Sequence, residues 1–305
     1  MYDLKRILVC LDLTEMDDQL IKAAASFANH LSGSNFYFLH IVKSLELPPD
    51  LLEKYPDLIA PVDENVKRIV QERLELNFKN LSEFEYSIDV VEGSTTDVIL
   101  RWSKIKEVDL IIMGRKLKEN GSGVLPDKVV KLCHCSFLFV PYNSYHGLKR
   151  IMVPIDFSDS SKMALEQAIA ISENSGATII CQHIYSVPTG YHTSGKSYAE
   201  FAKIMQSNAV KNFMNFLLGM GLRKDQYVCI YTLSEGIDPS KIVLQTATKE
   251  KIDFIIMGSK GRTGMASILL GSTAMKIIKS DLDFEILVVK DKKENMGFLD
   301  ALLNL

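Results

Sequence analysis

The chain has 305 residues, 47% hydrophobic and 24% charged, with a net charge of −3. That mix excludes a disordered or collagen-like chain, and the length predicts two domains, each able to bury a core without disulfide staples. Lys and Arg number 35 against 38 Asp and Glu, so no basic excess draws nucleic acid or an anionic membrane surface. No apolar run approaches the roughly 20 residues of a membrane span. Met1-Tyr2-Asp3-Leu4-Lys5-Arg6 leads into an apolar run of only Ile7 to Leu11 before acidic residues follow, which is not a signal-peptide pattern. The cysteines are Cys10, Cys133, Cys135, Cys181 and Cys229. Their odd number and the lack of a C-x-x-C pair predict free thiols in a reducing cytoplasm. Cys133-His134-Cys135 has no second ligand pair, and reads as a helix end entering a strand rather than a metal clip.

An internal repeat organises the chain. Lys5-Arg6-Ile7-Leu8-Val9-Cys10-Leu11-Asp12 matches Lys149-Arg150-Ile151-Met152-Val153-Pro154-Ile155-Asp156, 144 residues later. Leu39-His40-Ile41 matches Gln182-His183-Ile184, and Glu92-Gly93 matches Glu235-Gly236. Asp109-Leu110-Ile111-Ile112-Met113-Gly114 matches Asp253-Phe254-Ile255-Ile256-Met257-Gly258. Four blocks in one order at nearly one spacing mark a duplicated domain. The join is the polar stretch from Pro141 to Gly147, which sets the domains at 1–143 and 147–291 and leaves 292–305 as a C-terminal tail.

In chain order, the first half opens on the apolar run Ile7 to Leu11, followed by the acidic group Asp12, Glu15, Asp17 and Asp18. That group is expected to be a solvated helix start with favourable dipole placement. In the second half, Ile151 to Ile155 is a short apolar run, as for a strand buried on both faces of a parallel sheet. Ser158 can cap a helix whose Met163, Ala164, Ala168 and Ile171 fall at helical spacing, with Ser175-Gly176 ending it. Thr178 to His183 is the second strand. A long amphipathic helix follows from about Tyr198 to Leu218, then a strand from Val228 to Leu233. Asp238-Pro239 opens another helix, Phe254 to Met257 is the fourth strand, Ala274 to Lys279 a short helix, and Phe284 to Val289 the fifth strand. The alternation predicts an α/β fold: two tandem, doubly wound, five-stranded parallel sheets with helices on both faces.

Open parallel sheets bind ligands outside the carboxyl ends of their strands. Asp156 ends the first strand of the second half, and Gly258 ends the fourth and begins a glycine-rich loop running to Thr273. Glycines let backbone N–H groups approach an anion without a Cβ in the way. The helix start at Gly271-Ser272-Thr273 adds N–H donors, a favourable dipole and two hydroxyls. Lys260 and Arg262 add positive charge. Asp156 faces the other end of such a ligand, where a carboxylate accepts from a ribose hydroxyl or an adenine amine. A mobile glycine-rich connector with an ordinary serine cap is the plain alternative.

At these residues the sequence resembles the universal stress protein family. Gly258, Gly261, Gly271 and Ser272 form the Gly-x2-Gly-x9-Gly-Ser pattern of that family's ATP-binding signature. Val153-Pro154-Ile155-Asp156-Phe157-Ser158 is similar to its first strand and turn, and the likeness covers nearly the whole chain as two copies. The resemblance implies strand order 3-2-1-4-5, the adenine nucleotide alpha hydrolase-like arrangement. It implies that Pro154, Ile155, Asp156 and Ile184 line the adenosine side. Met257, Gly258, Lys260, Gly261, Gly271, Ser272, Thr273 and Ala274 then contact ribose and phosphates. The implied ligand is ATP, with AMP or ADP as alternatives and magnesium optional.

The first half departs from this pattern. Asp12 and Gly114 persist, but Leu117 replaces the second glycine and Val124-Leu125-Pro126 replaces Ser272-Thr273-Ala274 in a loop four residues shorter. A degenerate, empty first site is expected. Gly190-Tyr191-His192-Thr193-Ser194-Gly195-Lys196-Ser197 satisfies the P-loop expression G-x4-G-K-S. However, five residues separate it from the preceding strand, and Asp253 precedes its strand instead of ending it. A polar loop capping the Tyr198 helix is the favoured reading. His40 and His183 read as core histidines satisfied by backbone, ahead of a catalytic base.

The leading expectation is a cytoplasmic, stress-type regulatory protein that binds adenine nucleotide, with no catalytic residues and no metal site of its own. The rivals are a slow ATPase or phosphotransferase in the same pocket, and a nucleotide-free interaction scaffold. Nucleic acid and membrane are not expected partners. Ser136 to Val140 and Phe284 to Val289, the last strands of the two sheets, are apolar. They are expected to pair as an intramolecular pseudo-dimer. A homodimer is a further option, with the apolar tail from Met296 to Leu305 as one contact.

Overall fold

The computed structural model describes residues 4–28, 33–44, 62–115, 127–143, 147–218, 220–222, 225–261, 270–281 and 283–292. The chain divides into two compact units, in the main Asp3–His146 and Gly147–Lys290. The first runs β1 (Arg6–Leu11), α1 (Met16–Ala28), β2 (Asn35–Val42), α2 (Val62–Asn77), a 3-10 turn (Leu81–Glu83), β3 (Glu85–Glu92), α3 (Thr95–Ile105), β4 (Leu110–Arg115), α4 (Asp127–Leu132) and β5 (Ser136–Pro141). The second runs β6 (Arg150–Pro154), α5 (Asp159–Ser175), β7 (Thr178–Tyr185), a 3-10 turn (Thr189–Ser194), α6 (Tyr198–Leu217), β8 (Tyr227–Leu233), α7 (Pro239–Lys249), β9 (Phe254–Gly258), α8 (Ser272–Ile278) and β10 (Glu285–Val289).

Within the first unit the strand order is β3-β2-β1-β4-β5, and within the second β8-β7-β6-β9-β10. The pairs inside each unit are parallel, which is the expected 3-2-1-4-5 arrangement in both. The central strands carry the core: Ile7, Leu8, Val9, Leu110, Ile111 and Ile112 in one unit, and Ile151, Met152, Val153, Phe254, Ile255 and Ile256 in the other, are fully buried. Helices cover both faces, so these strands need no polar alternation.

The duplication extends to the polar fastenings at the amino ends of the strands. The Asp109 carboxylate accepts the backbone N–H groups of Lys5 and Arg6, and Asp253 accepts those of Lys149 and Arg150. Helix ends follow the expected signals. Ser158 caps α5 by accepting from the Ser161 N–H, Gly176 closes it at φ 72°, and Asp238 caps α7 with Pro239 in its first turn.

One expectation is corrected. Asp17 is not part of a solvated helix start but is fully buried. Its two oxygens accept the N–H groups of Asp12 and Leu13 at 3.0 and 2.9 Å. Burial pushes its carboxyl up to about 6, against the lowering effect of those hydrogen bonds. The five cysteines are free thiols, with Cys133, Cys135 and Cys181 buried. No described helix is long and apolar enough to cross a membrane. The loop substitutions at Leu117 and Val124-Leu125-Pro126, Arg262 in the second loop, and the tail from Met296 lie outside the described residues.

Candidate functional site

In the second unit β7 and β8 are laid down on one side of β6, and β9 and β10 on the other. The crevice between the carboxyl ends of β6 and β9 is therefore the switch point at which such sheets bind ligands. The end of β6 is fixed to β7: the Ile155 N–H donates to the Gln182 carbonyl at 2.7 Å, and His183 Nδ1 donates to the Ile155 carbonyl at 2.8 Å. His40 does the same to Leu11 at 3.1 Å. Both histidines are thus strand ties, as read from their core positions.

Asp156 follows as a half-buried carboxylate. Its Oδ1 accepts from the Ser158 N–H at 3.0 Å and from the Ser158 hydroxyl at 2.5 Å. Between them Phe157 takes φ 65°, a conformation that L-residues adopt only when surroundings impose it. Here its ring lies 4.3 Å from that of His183 and 5.6 Å from that of Phe216. The turn delivers the chain into α5.

The other wall leaves β9. A Cβ on Gly258 would lie 2.6 Å from both the carbonyl carbon and the Cβ of Ser160, so glycine is what lets the first turn of α5 close on the strand end. A Cβ on Gly261 would lie 2.8 Å from Asp156 Oδ2. The loop after β9 therefore reaches the carboxylate after β6. The loop returns at Gly271, whose N–H donates to the Ser259 carbonyl at 2.7 Å. Gly271 is also the N-cap residue of α8. The first-turn N–H groups of a helix have no intrahelical acceptors, and here they belong to Ser272, Thr273 and Ala274, of which Ser272 is exposed and Ala274 buried. Lys276 of α8 pairs with Asp238, holding that carboxyl down to about 2 together with Ser240. That pair ties α8 to the start of α7.

The remaining expected residues divide by strand. Pro154 ends β6 opposite Gln182; Met257 is buried in β9; Lys260 is half-buried beside Gly261. Ile184 stands on β7, paired in register with Thr232 of β8. Asp156, Gly258, Gly261 and Gly271 thus converge, while Ile184 lies one strand further out. Arg262 and the rest of 262–269 are not described. The arrangement can seat a ligand with hydroxyls or amines at the carboxylate and an anion at the glycine-lined helix start. Among the described residues no group of three His, Cys, Asp or Glu side chains could hold a metal ion.

Sequence reasoning missed Ser160 and Phe157. The signal for Ser160 was available: it is small where the first half has Met16. The P-loop pattern has another explanation. Its Ser197 is the N-cap of α6, its side chain accepting the Glu200 N–H while the Glu200 side chain takes the Ser197 N–H, a closed capping box.

A universal stress protein family model matches residues 3–141 and again 147–290. Universal stress protein MJ0531 of Methanocaldococcus jannaschii is 32% identical over 157 residues, 50% of this chain and 88% of the relative. Universal stress protein MJ0577 of the same organism is 29% identical over 162 residues, 47% of this chain and 96% of the relative. Among solved structures, a functionally unknown protein, PA1789 from Pseudomonas aeruginosa PAO1, matches 99% of this chain and 98% of its own, with TM-score 0.64 at 15% identity. A universal stress protein from Archaeoglobus fulgidus matches 94% and 98%, with TM-score 0.62 at 17% identity. Likeness at such identities is one of fold, but the family model covers almost every residue of both units. The chain belongs to the universal stress protein family, in its tandem two-domain form.

Proposed function

We propose that this chain binds one adenine nucleotide, ATP in the first place, in its second domain (147–291), and acts in the cytoplasm as a nucleotide-responsive regulatory protein. The observation that carries the reading is the approach of Gly261 to Asp156, within 2.8 Å of a would-be Cβ. It brings an acceptor for a ribose hydroxyl or adenine amine to the rim of a glycine-lined helix start suited to phosphate. Pro154, Ile155, Asp156 and Ile184 would hold the adenosine. Met257, Gly258, Lys260, Gly261, Gly271, Ser272, Thr273 and Ala274 would hold the ribose and phosphates. Any magnesium would arrive on the phosphates.

The first domain (1–143) is the empty one in this reading. Met16 is fully buried and its Cγ lies 2.8 Å from a would-be Cβ of Gly114. Arg73 reaches from α2 to the Thr14 carbonyl and to Asp17 at 3.4 Å. Side chains of the domain itself thus fill the turn. The rival reading, slow hydrolysis or phosphoryl transfer, needs a general base; the two histidines at the strand ends are engaged with Leu11 and Ile155.

The test is calorimetric titration of the full chain with ATP, alongside mass spectrometry of nucleotide released on denaturation. One site per chain is expected, abolished by Gly271→Val, whose branched side chain would crowd the helix start. Two equivalent sites, or unchanged affinity in Gly271→Val, would sink the assignment. Steady ATP turnover with magnesium would favour the enzyme.

A further inference from the structure

The two domains share a topology, and each ends on an outer strand: β3 in the first and β8 in the second. Both strands contain no buried residue, but their compositions differ. β3 reads EYSIDVVE and carries the carboxylates Glu85, Asp89 and Glu92. β8 reads YVCIYTL, with no charge, proline or glycine. Charges and prolines are the usual means by which an edge strand avoids pairing with another chain, and β8 has none of them.

Both faces of β8 nevertheless carry helix contacts. Tyr227 and Tyr231 meet Phe213 of α6 at ring separations of 6.5 and 6.0 Å. On the α7 side, Gln182 Nε2 donates to Thr232 Oγ1 at 3.1 Å and to Thr246 Oγ1 at 2.7 Å. β7 pairs along the whole inner side, and no described strand lies on the outer side. Val228, on the α7 side with Thr232, is 50% exposed, so the cover of that face stops short of the start of the strand.

We propose that β8 is an interface for a second copy of this chain, the two β8 strands pairing antiparallel about a twofold axis at Ile230 and joining the two sheets. The operation sets Val228 opposite Thr232, Cys229 opposite Tyr231 and Ile230 opposite itself, pairs of the β-branched and aromatic kinds that stabilise antiparallel strands. The same operation on β3, about Asp89, would set that carboxylate opposite its own copy, like charge against like. Backbone donors and acceptors of an antiparallel pair are self-complementary. A second copy also brings α6 and α7, continuing all three layers past the edge, whereas an isolated extended peptide would cover the strand alone.

Sedimentation of the full chain over a range of concentrations tests this, with deuterium exchange read over residues 227–233 and 85–92. A reversible dimer is expected, with exchange slowed in 227–233 at high concentration and unchanged in 85–92. Val228→Lys, at a half-exposed position that tolerates a long side chain, should weaken the dimer at least about tenfold by bringing an unpaired charge into the joined edge, the device by which edge strands avoid pairing. Val90→Lys on β3 should leave it unchanged. The proposal is overturned by a monomer at all concentrations, by a dimer indifferent to Val228→Lys, or by a dimer without slowed exchange in 227–233. Protection of β8 only when an unrelated protein is added would make a foreign strand the occupant and also overturn it.

Discussion

The turn after β1 and the turn after β6 start from the same frame and end in different chemistry. Leu13 and Phe157 occupy matching positions at φ 63° and 65°, and Thr14 and Ser158 each donate a hydroxyl hydrogen bond to the aspartate two residues earlier. Three residues further on they part. The first domain places Asp17 under the turn, where it accepts two N–H groups and faces Arg73; the second places Ser161, whose hydroxyl bonds the Ser158 carbonyl at 2.9 Å. Met16 in one becomes Ser160 in the other. Duplication preserved the backbone and the aspartate of the turn, Asp12 exposed and Asp156 half-buried, while a few side chains changed what packs beneath it.

The largest effect expected from this divergence is a pH dependence confined to the first domain. Burial raises the Asp17 carboxyl from 3.8 to about 6. The neutral acid is the form that folding favours, so its stabilising contribution is full below the ordinary carboxylate value and is lost as pH rises through about 6. The loss amounts to about 3 kcal/mol at most. Asp17→Asn removes the titration. The stability difference, parent minus variant, should therefore fall across that window. Trp102, the chain's sole tryptophan, lies on α3 of the first domain, so denaturant unfolding followed by its fluorescence reads this unit. Parallel pH profiles of parent and variant would refute the account.

The frame was legible in the sequence because its signals are local. Apolar runs gave the strands, Ser158 and Asp238 the caps, and the repeat gave the duplication. The glycine spacing brought Gly258, Gly261 and Gly271 to one crevice on paper before the structure did. What escaped depends on distant partners. The acidic group after β1 looks like a solvated helix start; Asp17 instead turns inward onto the N–H groups of Asp12 and Leu13, where Arg73, 56 positions away, faces it. The left-handed Phe157 is held by His183 and Phe216, and nothing near it in sequence announces it. The G-x4-G-K-S match was a false friend for the opposite reason: a capping box between Ser197 and Glu200 explains its serine locally.

Gly258, which ends β9, and Gly114, the last residue but one of β4, offer a sharper contrast. A Cβ on Gly258 meets the backbone of Ser160, which cannot yield without moving α5; a Cβ on Gly114 meets side-chain atoms of Met16, its Cγ first at 2.8 Å. Gly258→Ala should therefore cost about 2 kcal/mol and Gly114→Ala less, since there a side chain and no backbone has to give. Calorimetric melting reads the first and Trp102 fluorescence the second. Equal costs would mean that the tight approach of α5 to β9 is not a feature of the second domain.

The smallest effect separates capping from site geometry. Ser158 both caps α5, accepting the Ser161 N–H at 3.2 Å, and donates its hydroxyl to Asp156. Ser158→Ala should cost about 1 kcal/mol, the usual value of a lost N-cap. Thr14→Ala should cost less, because the N–H groups of that turn are also held by Asp17 and its carbonyls by Arg73. The same Ser158→Ala change removes one of the two hydrogen bonds that Asp156 accepts in this turn, the one from the hydroxyl, while the backbone N–H of residue 158 remains. If Asp156 receives a ribose hydroxyl, nucleotide affinity should fall by a few fold beside the loss of stability. A variant with the stability loss and unchanged affinity would show that the Ser158 hydroxyl supports the helix and not the orientation of the carboxylate.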